Sequence, residues 1–89
     1  MKKAIVSVIG KDKKGIIAGV TDILFKMDIN VADITQTVMQ DYFTMIMLVE
    51  LDDGVDFSTV KESLAKKGEE LGVTVSIQHE DIFNAMHRI

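Results

Sequence analysis

Two stretches of the chain are apolar on both of their alternate sets, and they leave few folds open. Ala4, Val6 and Val8 alternate with Ile5 and Ile9 in the first, and Met45-Ile46-Met47-Leu48-Val49 does the same within the run from Phe43 to Leu51. A strand with one wet face alternates, so a strand apolar on both sets belongs inside a sheet with both faces covered. A break and then a helical pattern follow each. After Gly10-Lys11-Asp12-Lys13-Lys14-Gly15, the residues Ile16, Val20, Ile23, Leu24 and Met27 mark one face of a helix from Gly15 to Met27. Gly19 weakens that helix and fits close packing against the sheet. After Asp52-Asp53-Gly54, Asp56 is an N-cap for a second helix, with Thr59 and Glu62 a rival capping box. Phe57, Val60, Leu64 and Leu71 are its buried stripe, and Gly72 ends it.

The other two strands read as edges. Ile29 to Gln40 is polar, with Asn30, Asp33, Thr35, Gln36 and Thr37, and its alternation slips at Ala32-Asp33 as at a bulge. Asp41-Tyr42 turns the chain into the third strand. Val73 to Gln78 points Val73, Val75 and Ile77 inward, and Asp81 caps a short terminal helix carrying Ile82, Phe83 and Met86. The order β-α-β-β-α-β with right-handed crossovers predicts an α+β ferredoxin-like plait. Its antiparallel sheet has the order 4-1-3-2, with two helices on one face. The whole chain, 1–89, is read as one domain, with a core over 3–79 and a helical tail over 80–89. The second face of the central strands then needs a cover, from the tail helix, a partner subunit or both.

Composition narrows the function. Ten Lys and Arg against fourteen Asp and Glu give a net charge of −4, which disfavours nucleic acid as a partner. Tyr42-Phe43 has no aromatic companion on strand one, so an RNA-stacking platform is missing. The chain lacks cysteine, which excludes disulfides and thiolate zinc and suits a reducing cytoplasm. No apolar run is long enough to span a bilayer, and Met1-Lys2-Lys3 does not open a signal peptide. His79 and His87 do not have the spacing of a one-turn helical pair, and the six methionines read as adaptable packing, so no metal or cofactor is expected.

The glycine-flanked loop is the chemically suggestive segment. A strand that ends in a tight turn and starts a helix presents free N–H groups that suit a carboxylate or phosphate. Gly10-Lys-Asp12-Lys-Lys-Gly15-Ile16, a helix, and then Asp28-Ile29-Asn30-Val31 resemble an ACT domain over residues 3 to about 79. The nearest resemblance is to ACT domains of glycine-cleavage regulators, and the tail from Glu80 to Ile89 resembles that of free-standing single-ACT bacterial proteins.

The resemblance implies a small module that binds an amino acid and regulates another protein. It places ligand contacts at Gly10, Lys11, Asp12, Gly15, Ile16 and Asn30. The serine-sensing member of the family has asparagine at the place of Asp12 and histidine at that of Gly10, and many members have proline at that of Lys14. Asp12 accepts from an α-ammonium but donates nothing to a carboxylate unless protonated. Asp12 and Asn30 fall at opposite ends of the sheet within one chain, and antiparallel pairing of two chains along strand two brings them together. A homodimer or higher oligomer with interfacial pockets follows from that geometry, with an unidentified regulated protein as a further partner.

Plainer readings stand beside these. The two glycines serve a turn, Asp12 is a charge favoured by the helix dipole, Asn30 is a turn residue, and the lysines are solvated. The chain is then a ligand-free dimerisation or protein-interaction module. Acylphosphatase shares the element order, but its first-loop arginine is missing here; the only arginine is Arg88. No nucleophile, base and oxyanion donor are spaced as a catalytic set, so non-enzymatic binding is the expected activity.

Overall fold

The computed structural model describes residues 2–11 and 15–80. Its elements run β1 (Lys2–Lys11), α1 (Ile16–Lys26), β2 (Asn30–Met39), β3 (Tyr42–Leu51), α2 (Phe57–Leu71) and β4 (Thr74–His79). The strands form one sheet in the order β2-β3-β1-β4, and every neighbouring pair is antiparallel, as predicted for the plait. The predicted helix from Asp81 lies outside the described residues.

One side of each strand meets the helices. Ala4, Val6 and Val8 of β1, the alternate residues Phe43 to Leu51 of β3, and Val75 and Ile77 of β4 are buried there with Ile16, Val20 and Leu24 of α1 and Val60 and Leu64 of α2. The tail helix expected to cover the far side lies outside the described residues, and burial on that side is uneven. Ile5 is buried and Leu48 half-buried, but Ile46 and Ile9 are exposed. α1 lies beside β2 and α2 over β4, so the helical layer stops short of the β2 edge.

Both helices end in the same hydrogen-bonded motif, built on different residues. Gly72 takes the left-handed conformation after α2 (φ 74°), with Val73 N donating to Gly68 O and Gly72 N to Glu69 O. After α1 that place falls to Asp28 (φ 61°), with Ile29 N donating to Leu24 O and Asp28 N to Phe25 O. The buried pair Leu24 and Ile29 supplies the apolar contact that accompanies such an end. A left-handed aspartate is strained, and its charge opposes the helix dipole. Asp28→Gly is therefore expected to stabilise the fold by about 0.5–1 kcal/mol after the added chain entropy of glycine, raising Tm by roughly 3–5 °C in a thermal melt. An unchanged or lower Tm would show that Asp28 makes compensating contacts.

Asp56 caps α2 as predicted: Oδ1 accepts from Ser58 N and Oδ2 from Thr59 Oγ1. Thr59 thus supports the Asp56 cap instead of forming the rival one. Gly19 packs differently from expectation. It faces α2, where a Cβ would meet the ends of Leu71 and Lys67, and not the sheet. The slip at Ala32 is a bulge between Val31 and Asp33. The turn into β3 sits one residue earlier than Asp41-Tyr42, at Gln40-Asp41 with Gln40 left-handed (φ 55°).

Candidate functional site

The predicted ligand residues fall into two groups. Gly10 and Lys11 end β1, and Gly15 and Ile16 begin α1 on the same side of the sheet. Asp12, with Lys13 and Lys14, lies outside the described residues. Asn30 stands at the other end: it pairs with Glu50, whereas Gly10 pairs with Phe43, seven residues further along β3. At the rise of a strand that is about 23 Å. One chain alone therefore does not bring Asn30 to the loop.

Gly10, Gly15, Ile16 and Asn30 offer less side-chain chemistry than their sequence positions implied. Ile16 is 2% exposed and belongs to the core, so only its main chain faces outward. Gly10 is an ordinary extended residue whose missing side chain leaves room for Val73: a Cβ there would lie 2.6 Å from Val73 Cγ1. A histidine side chain at this position would collide with Val73. Gly15 is the residue that needs its backbone freedom. It is the left-handed N-cap of α1 (φ 86°), with open space around it and no capping hydrogen bond from a side chain. The first-turn N–H groups of α1 therefore emerge beside a residue that does nothing to cover them. Asn30 is a strand residue, not a turn residue, and its Nδ2 donates to Glu50 Oε1 at 2.8 Å. That leaves its carbonyl oxygen and one N–H for a ligand.

The structure adds residues that the sequence reading did not select. Phe25, Asp28, Ile29 and Asn30 line a shallow cleft of about 240 Å³. Phe25 is 80% exposed, out of phase with the buried face of α1, and that phase error is visible in the sequence. Asp28 and Glu50 bring carboxylates to this end of the sheet, where Lys3 pairs with Glu50 across β1 and β3. The opposite end carries Lys11, followed in sequence by Lys13 and Lys14. A larger hollow on α2, lined by Glu62, Ser63, Ala65, Lys66 and Glu69, touches none of these groups. His79 is stacked on Phe57 with ring centroids 4.1 Å apart. Among the described residues no three metal-ligating side chains converge, and no helix is long and apolar enough to cross a membrane.

Known proteins match this arrangement along its full length. A UPF0237 protein of Clostridium acetobutylicum is 59% identical over 98% of this chain and 99% of its own. An ACT domain protein from Streptococcus pneumoniae superposes with a TM-score of 0.83 at 42% identity, covering 97% of this chain and 98% of that one. A protein assigned as a glycine cleavage system transcriptional repressor shares the fold, with a TM-score of 0.78 at 18% identity over 88% of this chain and 45% of that one. The family model for the ACT domain matches residues 2–78, which span β1 through β4 but for its last residue. With the plait, the left-handed glycine before α1 and the whole-chain relatives in agreement, this chain belongs to the ACT domain family.

Proposed function

We propose that the chain is a non-enzymatic sensor in which two copies pair antiparallel along β2 and hold an amino acid between the α1 N-terminus of one and Asn30 of the other. The observation that carries this reading is the β2 edge. Ile34 and Val38 lie on the helix side of the sheet, yet are 40% and 56% exposed because the helical layer ends before them. Ile17, Thr21 and Phe25 form the neighbouring stripe of α1, on the side away from its α2 contact at Gly19. An edge strand flanked by apolar side chains invites another strand. Antiparallel pairing sets the lysine-bearing end of one copy against the Asp28 and Glu50 end of the other. The pocket so formed has donors and positive charge on one wall and carboxylates on the other, which suits a zwitterion.

A second reading has its own support. Gly10 and Ile16 contribute no side chain, and Asn30 already donates to Glu50. These facts favour a dimerisation module that binds nothing. A thermal-shift screen with the twenty amino acids separates the two. A ligand at a hundred times its dissociation constant adds about 2.7 kcal/mol, which raises Tm by roughly 10 °C or more. Asn30→Ala is expected to abolish that shift while the unliganded Tm stays within a few degrees. Silence from all twenty amino acids would leave the dimerisation module as the function.

A further inference from the structure

The outer edge of β2 is not uniformly open. Met39 and Tyr42 close a two-residue hairpin and bond to each other, so the alternation of an antiparallel ladder directs Thr37, Thr35 and Asp33 toward β3. Ile34, Gln36 and Val38 then turn their N–H and C=O groups to the free edge. One of those three donors is occupied from within the chain: Ile34 N donates to Asp33 Oδ1 at 2.8 Å. Asp33 sits directly after the bulge, which brings its carboxylate round to the edge.

We propose that Asp33 is a removable cap on a self-pairing edge, and that a second copy of this chain displaces it in one register, with Gln36 opposite Gln36 of the other copy. This rests on the dimer reading above and specifies it. Antiparallel pairing of like faces requires paired residue numbers with an even sum, and a centre at Gln36 is the choice that engages all three outward residues. Gln36 then exchanges both bonds with its own counterpart, and Ile34 N donates to the other copy's Val38 C=O. Ile34 and Val38 face each other on the helix side, where both are exposed in the single chain. The same register sets Asn30 level with the end of the sheet from which the other copy's β1–α1 loop emerges. Ile34 N cannot serve both Asp33 and Val38, so each copy gives up one internal hydrogen bond when the edge closes.

The test combines sedimentation equilibrium with cross-linking. Asp33→Ala is expected to lower the dimer dissociation constant about three- to tenfold, because the dimer no longer forms at the expense of the cap. Asp33→Asn removes the charge but keeps a carbonyl acceptor, and is expected to recover less than half of that gain. Equal tightening by both variants would assign the effect to charge and overturn the cap. The chain has no cysteine, so a single Gln36→Cys substitution reports the register under mild oxidation. Gln36→Cys is expected to give a covalent dimer and Thr35→Cys to stay monomeric in a denaturing gel. A dimer that cross-links through Thr35→Cys, or through neither, overturns the register while leaving the dimer reading intact. A wild-type chain that stays monomeric to several hundred micromolar overturns both.

Discussion

Gly68→Ala is expected to destabilise the protein by about 2 kcal/mol and lower Tm by roughly 10 °C, although the same change in a helix interior is normally favourable. Alanine gains about 1 kcal/mol over glycine in helix propensity. At Gly68 that gain is outweighed by the approach of β4. A Cβ would lie 2.8 Å from Val73 O, 3.2 Å from Val75 N and 3.0 Å from Val75 Cγ2. Two of these are backbone atoms in the segment that leads α2 into β4, so no rotamer change relieves the overlap. Val73 has little freedom to retreat, since its N–H is bonded to Gly68 O and its side chain fills the space over Gly10. Gly19→Ala is the control with the opposite sign. Its neighbours, Leu71 Cδ1 at 3.0 Å and Lys67 Cε at 3.3 Å, are the ends of flexible side chains. It is expected to be neutral or to stabilise by up to about 1 kcal/mol. Urea melts of the two variants measure the contrast, and a Gly68→Ala protein as stable as wild type would refute the account of this joint.

The contrast also marks where sequence patterning is informative. Hydrophobic period 2 in β1 and β3 and period 3.6 in α1 and α2 are produced by burial itself, so they disclose element order, sheet order and the inner face. Gly72 and Asp56 are legible because few residues suit their backbone and hydrogen-bonding roles. Gly68 sits in a helix with no local signal, since its reason is a strand that arrives from later in the chain. Asp28 occupies a left-handed position that favours glycine, because the bonds made by Ile29 and the burial of Leu24 outweigh its strain. The candidate site divides in the same way. Gly15 and Asn30 were visible as residue types at a turn and a strand start. The bond from Asn30 to Glu50 and the competition of Val73 for the space at Gly10 depend on register between strands, which residue spacing does not encode.

Gln36→Pro is expected to weaken self-association at least a hundredfold while leaving the single chain folded. The asymmetry comes from the direction of one N–H group. Proline inside a sheet normally removes a ladder hydrogen bond, but the Gln36 N–H points away from β3, so the intramolecular ladder of β2 loses nothing. Thr35, the residue before it, is already extended, as a residue preceding proline prefers to be. The free edge loses its central donor and gains a ring where a second strand must approach, a device by which sheet edges resist pairing. Sedimentation velocity at increasing concentration, beside a thermal melt, reads the two effects separately. The expected pair of results is a monomer at concentrations where wild type is dimeric and a Tm lowered by only a few degrees. Loss of the cooperative melt would mean that Gln36 N–H serves the sheet from within, and the direction assigned to Ile34, Gln36 and Val38 would be wrong. Unchanged association with an intact melt would place the dimer contact elsewhere, with the exposed Ile9 and Ile46 on the far face the next surface to test. The variant also bears on binding. A pocket completed by Asn30 of a second chain cannot survive in a monomer, so any amino acid that raises the Tm of wild type should have no effect on Gln36→Pro.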